Sequence, residues 1–313
     1  MAIRRRLNKK ADIQISFSWL FALIAGAVIL FLAIYISTKL IMNQTYVMST
    51  ETAKQIEILT NPLETGFESE TARVMTLQTD TKIYNECYDG GNFGEQGIKL
   101  TQKNFGKWPE PGAEIKFKNK YIFSDSEVQG KNFYLMSKQF NYPFKIADLI
   151  ILTSAEKEYC LIDAPEEIED DKNVFPDNVK FESEGCSKES IKVCFAGGKC
   201  SINVNYAFNY LEKEGKRLEF TKDLLYGAIF SDGIIYNCQI KRIMKRASIL
   251  SDLYSNKIEI VSRKDCNSNL KENLIQFKNF ADVDEKTNIN FQILDEIKED
   301  IENKNKNADC RLW

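Results

Sequence analysis

The stretch FSWLFALIAGAVILFLAIYI, residues 17–36, contains no charged side chain, and the rest of the chain is organised around it. The uncharged run is longer still and covers residues 13–38. About twenty apolar residues are needed for a helix to cross the hydrocarbon core of a bilayer. A single segment can satisfy its backbone hydrogen bonds inside lipid only as a helix. The sequence therefore predicts a transmembrane helix over residues 13–38.

The flanks of this segment predict its orientation. Residues 1–12 form a short tail with five basic side chains, Arg4, Arg5, Arg6, Lys9 and Lys10. Short segments rich in Lys and Arg stay on the cytoplasmic side, so we expect the N-terminus inside and residues 40–313 outside. The apolar run is longer than the core of a secretory signal and no A-x-A site follows it, which favours an uncleaved signal anchor. Ala22 and Gly26 form a small-xxx-small pair that permits self-association through the helix.

Composition excludes several classes of partner and chemistry. Subtracting the five basic residues of the tail and Asp12 from 42 Lys and Arg and 45 Asp and Glu leaves 37 basic and 44 acidic side chains. This acidic body argues against a nucleic-acid partner. The sequence has no histidine, which excludes Ser-His-Asp and Cys-His catalysis and histidine-ligated zinc. We expect no catalytic residue, no cofactor and no metal site.

Two charged clusters and two aromatic stretches receive structural interpretations. The acidic run at 166–171 lacks the spacing of a calcium loop and is interpreted as a solvated turn. The basic cluster of Lys241, Arg242, Lys245 and Arg246 is expected on a solvated helix face paired with the acidic last helix, the alternative being an acidic partner or lipid head groups. The aromatic stretches at 133–134 and 140–144 are expected in the core.

All eight cysteines follow the apolar segment: Cys87, Cys160, Cys186, Cys194, Cys200, Cys238, Cys266 and Cys310. An even set confined to one side of a membrane anchor indicates disulfides in an oxidising compartment. The alternative is a reduced cytosolic set, inert or metal-binding. No CxxC motif occurs, so the zinc interpretation is weak.

A pairing scheme follows from the order of the predicted elements. Cys194 and Cys200 flank Gly197-Gly198 and fit a disulfide across a hairpin. Three helices running down, up and down place the end of the third near the end of the first, which pairs Cys310 with Cys266. The remaining cysteines are then assigned as Cys238 with Cys87 and Cys160 with Cys186, one of many possible connectivities.

The predicted fold class is α+β, disulfide-bonded, in five regions. A cytoplasmic basic tail (1–12) and the transmembrane helix (13–38) lead into a stem helix (39–62), which Asn61-Pro62 ends. The stem carries Asn43-Gln44-Thr45, the only N-x-[ST] acceptor, so Asn43 is a candidate glycosylation site. Alternating and β-branched runs separated by Gly and Pro clusters predict an extracytoplasmic β-rich domain (63–232). Apolar residues at three- and four-residue spacing predict a C-terminal three-helix bundle (233–313).

Five segments together resemble a family of uncharacterised single-pass membrane proteins of small-genome (DPANN-type) archaea. They are KKADIQISFSWLFALIAGAVILFLAIY at 9–35, NPLETG at 61–66, KNKYIFS at 118–124, CQIKRIMKRA at 238–247 and CRLW at 310–313. They span nearly the whole chain. The resemblance implies an archaeal cell envelope and an outward-facing domain, and it transfers no functional residues.

The N-terminus is also similar to archaeal type IV pilin precursors, which are cut just before their hydrophobic segment and usually carry a glutamate shortly after the cut. If the cut followed Ala11, the fifth residue would be Ser16 instead.

Three functions are therefore weighed. The first is a non-enzymatic structural or interaction role at the cell envelope, in contact with the lipid bilayer and with other envelope or membrane proteins. The second is a pilin-like subunit of a surface filament. The third is an extracytoplasmic hydrolase that uses carboxylates.

Overall fold

The computed structural model describes residues 17–59, 72–263, 268–282, 289–308 and 310–313, and within 17–59 it leaves some side chains undescribed. Contacts divide the chain into two units, Met1–Thr45 and Tyr46–Trp313. The described part of the first unit belongs to helix α1 (Phe17–Leu59). The segment Phe17–Thr50 of this helix is long and apolar enough to cross a membrane. Its large apolar side chains are exposed from Phe17 to Met48, as expected of a membrane anchor.

The second unit begins with the last part of α1, which packs against a β-sheet. Ser49, Ala53 and Ile56 are buried and lie on one face of the helix because they are four and three residues apart. Ala53 and Ile56 belong to a core cluster with apolar side chains of the first sheet, among them Ile83 and Leu100. The predicted stem is therefore partly integrated into the folded domain.

The first sheet has six strands in the order β3-β2-β1-β5-β6-β4. The pairs are antiparallel except β4 with β6, which is parallel. The strands are β1 (Ala72–Tyr88), β2 (Glu95–Gln102), β3 (Ile115–Phe117), β4 (Tyr121–Phe123), β5 (Glu127–Asn141) and β6 (Lys145–Ser154).

The second sheet also has six strands, in the order β12-β11-β10-β9-β7-β8. Its strands are β7 (Tyr159–Ile162), β8 (Val179–Phe181), β9 (Ile191–Cys194), β10 (Ile202–Asn205), β11 (Tyr210–Lys213) and β12 (Lys216–Glu219). Strands β7, β8, β9 and β10 pair in parallel, whereas β10, β11 and β12 are antiparallel. The prediction of a hairpin between Cys194 and Cys200 is wrong. Strands β9 and β10, which the segment between these cysteines connects, are parallel.

The remaining α-helices of the described chain are α2 (Glu166–Asp170), α3 (Leu225–Phe230), α4 (Gly233–Ser262), α5 (Lys271–Ala281) and α6 (Phe291–Lys306). Asp232 begins α4, since its carboxylate accepts hydrogen bonds from the backbone N–H of Ile234 (3.0 Å) and Ile235 (2.8 Å). The α+β prediction is confirmed, with an apolar N-terminal helix, β-sheets and C-terminal helices.

The C-terminal helices share one hydrophobic core with both sheets. Phe144, in the turn between β5 and β6, contacts rings from α4, α5 and the C-terminus, with centroid distances of 4.5 Å to Tyr254, 6.3 Å to Phe277 and 5.4 Å to Trp313. The structure thus does not show the separate three-helix bundle that the sequence predicted. Phe140, Tyr142 and Phe144 are buried, which confirms the core interpretation of that stretch.

Candidate functional site

Three cysteine pairs lie at disulfide-bonding distance, and they are the pairs that the sequence analysis assigned. The Cα–Cα distances are 6.0 Å for Cys87–Cys238, 5.8 Å for Cys160–Cys186 and 6.0 Å for Cys194–Cys200. The first pair joins β1 to α4 and the second joins β7 to the segment after β8. The fourth predicted pair includes Cys266, which lies outside the described residues; Cys310 is not a free thiol. Asn43 lies within α1 and is exposed.

Three of the four basic side chains of α4 contact the first sheet and its loops instead of the last helix, so the expected pairing is wrong for these three. Lys241 Nζ lies 3.3 Å from Asp89 Oδ2 in the turn after β1. Arg246 Nε donates to the carbonyl of Ile146 at 2.7 Å. Arg242 is buried, with 1% of its surface exposed. These side chains hold α4 against the first sheet.

Arg242 is at the centre of a buried polar network. Its guanidinium donates to the backbone carbonyls of Phe93 (3.2 Å), Lys120 (3.0 Å) and Lys118 (3.1 Å), and to Gln239 Oε1 at 2.8 Å. Burial lowers the pKa of Arg242 to about 10, so the side chain remains charged at neutral pH. A buried cation satisfied by backbone carbonyls is a structural clamp, and no functional site is assigned to it.

The outer face of strands β10, β11 and β12, which we call the polar face, carries six side chains in two rows. The strand register aligns Asn203 with Glu212 and Arg217, and Asn205 with Tyr210 and Glu219. The residues between them, Ile202, Val204, Leu211 and Leu218, are buried on the inner face. Strand alternation therefore gathers amide, carboxylate, phenol and guanidinium groups on one surface.

Contacts within the polar face hold its side chains in place. The guanidinium carbon of Arg217 lies 3.8 Å from the centroid of the Tyr210 ring, and its Nη2 lies 3.5 Å from Glu219 Oε1. Asn205 Nδ2 donates to the Tyr210 hydroxyl at 3.2 Å. Such planar polar groups, already oriented by their neighbours, are suited to hydrogen bonding with a polar ligand or partner.

The turn between β10 and β11, residues 206–209, contributes to the lining of two grooves. Asn209 has a φ of 54°, and the neighbouring Phe208 is 75% exposed. The first groove, about 580 Å³, is lined by Phe195, Tyr206 and four of the six polar-face residues, Asn203, Asn205, Tyr210 and Glu212. The second, about 790 Å³, is lined by Phe208, Arg217, Glu219 and the start of α6. An exposed aromatic side chain that lines a groove is the kind of feature found at protein interaction sites.

The second groove is acidic. Its lining includes four carboxylates, Glu219, Asp295, Glu296 and Glu299, and one cation, Arg217. Burial raises the pKa of the Asp295 carboxyl, and the hydrogen bond from the Tyr142 hydroxyl, 2.7 Å long, partly opposes this shift. A carboxyl of raised pKa in a groove with other carboxyl groups is an arrangement that some enzymes use for general acid catalysis.

A second cluster of charges lies where β5 faces the segments that flank α2 and α3. Lys138 Nζ lies 3.8 Å from Asp171 Oδ2 and 3.9 Å from Asp223 Oδ1. The Tyr226 hydroxyl donates to Asp171 at 2.5 Å. Burial raises the pKa of Asp223, and the charge of Lys138 acts against this rise. Asp171 therefore has a structural role, which the interpretation of run 166–171 as a solvated turn did not anticipate.

No group of three His, Cys, Asp or Glu side chains that could hold a metal ion occurs within the part of the chain that the structure describes. Comparison with protein-family models, with curated proteins and with solved structures finds no match to this chain. The geometry of its own residues is therefore the basis for a proposal.

Sequence reasoning missed the polar face, although its pattern is present in the sequence. Polar and apolar residues alternate in Asn203-Val204-Asn205, Tyr210-Leu211-Glu212 and Arg217-Leu218-Glu219. This alternation predicts strands that are buried on one side. The register that aligns the three segments, and the approach of α6 to them, are not readable from the alternation.

Proposed function

We propose that this chain is a single-pass membrane protein that presents a non-catalytic interaction domain at an archaeal cell envelope. The observation that carries the proposal is the combination of an exposed apolar helix, α1, with disulfide-linked cysteines in the domain that follows it. The basic tail supports an N-terminus inside the cell. Disulfides persist in oxidising compartments, which supports a domain outside the cytoplasm.

The polar face and the exposed Phe208 are the surface that we assign to the partner, another envelope or membrane protein. Aromatic and arginine side chains dominate the energetics of protein interfaces, and both occur here in Phe208, Tyr210 and Arg217. The neighbouring groove contributes carboxylates, which favour a partner surface with basic side chains.

Photo-crosslinking in intact cells tests this assignment. Phe208→p-benzoylphenylalanine is compared with Ile234→p-benzoylphenylalanine, because Ile234 is 71% exposed at the start of α4 and is not part of the polar face. The expected result is a protein adduct at position 208 that is missing at 234. Equal adducts at both positions, or none at 208, would reject the assignment. Proteolysis of sealed, right-side-out vesicles tests the orientation separately, since an external domain is cleaved without detergent.

A pilin-like subunit is the second candidate, and the packing of α1 favours it. A filament subunit needs an apolar helix available to neighbouring copies and a head fixed to that same helix. Ala53 and Ile56 of α1 are part of the core of the head. Mass spectrometry of the mature N-terminus distinguishes the two: an intact tail of residues 1–11 rejects a processed pilin.

A carboxylate-dependent hydrolase is the third candidate, supported by the acidic groove and the raised pKa of Asp295. Hydrolysis of envelope polysaccharides by the purified protein, lost in Asp295→Asn, would replace the first proposal with this one.

A further inference from the structure

The loop between β2 and β3 presents an exposed phenylalanine on a tightly built turn. Asn104 and Lys107 exchange two backbone hydrogen bonds of 2.9 Å, so Phe105 and Gly106 form a two-residue turn. Both have positive φ, 47° and 75°, a conformation that L side chains rarely adopt. The Phe105 side chain is 87% exposed, so packing within the described domain does not account for it.

The residues around Phe105 have the composition of a membrane interface. The loop reads KNFGKW at 103–108, with a lysine on each side of the turn and Trp108 after it. The ammonium groups of Lys82 and Lys103 lie 5.2 Å and 5.6 Å from the centroid of the Trp108 ring. Aromatic side chains concentrate at the level of lipid head groups, and lysines there are attracted to phosphate.

The end of this loop is attached to α1 where that helix enters the domain. The backbone N–H of Ala113 donates to Thr50 Oγ1 at 3.0 Å. A Cβ atom at Gly112 would lie 2.9 Å from the backbone nitrogen of Thr50, so the two backbones are in close contact. Thr50 is also the last residue of the candidate membrane span. Tyr46, Val47 and Met48 are exposed, which shows that α1 joins the domain at Ser49.

We propose that residues 103–108 are a second membrane contact, in which Phe105 and Trp108 insert among lipid head groups and Lys103 and Lys107 bind lipid phosphates. This proposal rests on the membrane anchoring proposed above. It assigns the loop to lipid, and a protein partner at this loop is an outcome of the test. The contact would hold the domain against the bilayer at a point other than α1.

Lipid photo-crosslinking of the full chain in phosphatidylcholine–phosphatidylglycerol vesicles tests the proposal. The probe p-benzoylphenylalanine replaces Phe105, Phe208 or Leu30, one position at a time. Phe208 is the matched control, since it is also an exposed phenylalanine beside a residue of positive φ. Lipid adducts are expected at 105 about tenfold more often than at 208, as partial burial of one phenyl ring implies. Leu30, in the apolar part of α1, reports anchoring itself.

The outcomes distinguish a failure of the proposed loop contact from a failure of the proposed membrane anchor. Adducts at Leu30 without an excess at 105 over 208 overturn the loop contact and leave the anchor in place. Missing adducts at Leu30 overturn the anchor. In the double variant Lys103→Gln/Lys107→Gln, adducts at 105 are expected to fall in phosphatidylglycerol-containing vesicles and to change little in phosphatidylcholine alone. A protein adduct at 105 in native membranes, with no lipid adduct, would reassign the loop to a partner. Intact disulfides by mass spectrometry show that each variant has folded.

Discussion

The guanidinium carbon of Arg242 lies 4.7 Å from the centroid of the Tyr121 ring, so a buried cation of α4 rests on an aromatic side chain of the first sheet. The same guanidinium donates to three backbone carbonyls in the loops around β2 and β4. Gln239, one turn earlier in α4, bonds to Gln96 and to the carbonyl of Ile122. Helix and sheet are therefore joined by a satisfied polar network as well as by apolar packing.

Removal of this cation is expected to be costly. Arg242→Ala would remove the donor from the buried carbonyl of Lys120 and from the part-buried carbonyls of Phe93 and Lys118, and we expect a loss of about 3 kcal/mol in the free energy of unfolding. Lys241→Ala is the control, because it removes an exposed ion pair with Asp89 and should cost less than about 1 kcal/mol. Urea denaturation of the full chain in detergent measures both. Equal losses would contradict the network's role.

The three observed disulfides should differ in their contribution to stability. They close loops of very different length, with sequence separations of 151, 26 and 6 residues. The chain-entropy model gives about 5, 3.6 and 2.4 kcal/mol respectively. We expect the paired alanine variants to fall in that order, with Cys87→Ala/Cys238→Ala the least stable. Denaturation midpoints in the same detergent give the ranking, and a reversed order would show that native-state effects outweigh loop entropy.

Two carboxyl groups should give pH dependences of opposite sign. Burial raises the pKa of Asp295 in the folded state, so ionisation of this carboxyl destabilises the fold. The stability of the wild type therefore falls as pH rises from the unfolded-state pKa of about 3.9 through the raised folded-state pKa. Asp295→Asn should therefore gain stability relative to wild type as pH rises through that range. The backbone N–H of Ser187, followed by Lys180, lowers the pKa of Glu158 to about 2.

The stability contributed by Glu158 is thus present above its ordinary value of about 4.3 and is lost as pH falls through about 2. Glu158→Gln should be less stable than wild type at neutral pH and equal to it at the acid end. Thermal unfolding of both variants across this pH range tests the two signs together. A parallel response of the two variants would contradict the assigned causes.

Packing of α1 into the head predicts a large effect at a position near its end. Ile56 is 1% exposed in the core of the first sheet, and Ile56→Ala should lower the free energy of unfolding by about 2–5 kcal/mol. Val47, on the same helix, is 53% exposed, and Val47→Ala should change it by less than about 0.5 kcal/mol. Thermal unfolding of the detergent-solubilised protein compares them. A small effect at Ile56 would mean that the head folds independently of α1.

The sequence predicted best those parts of the fold that depend on local periodicity and on the order of the elements along the chain. The apolar run at 17–36 predicted the helix of membrane-spanning length that α1 contains, whereas its predicted stop at Asn61-Pro62 lies outside the described residues. The pairing of Cys87 with Cys238 was one of many open connectivities once Cys266 and Cys310 had been paired by helix order, and these two residues lie at disulfide-bonding distance. Alternating segments identified many of the strands, including those at 120–123 and 149–152.

Long-range register limited what could be predicted. Ile202 pairs in parallel with Val193 across a link of a few residues, which the usual preference for hairpins at such distances opposes. Arg242 follows Lys241 on a helix, and charge alone placed both on the solvated side. Its burial depends on carbonyls in loops more than 100 residues earlier, which no local pattern reveals.

The disulfide between Cys87 and Cys238 has a consequence for biogenesis. In the proposed orientation, with the domain exported, Cys87 leaves the translocation channel 151 residues before its partner. At about 5–20 residues per second, this interval lasts about 8–30 seconds. Cys160, Cys186, Cys194 and Cys200 emerge within it, and each offers Cys87 an incorrect mixed pairing. For a domain exported as proposed, we expect correct pairing to require thiol–disulfide exchange, so that the yield in a foreign host follows the disulfide-isomerase capacity of the receiving compartment.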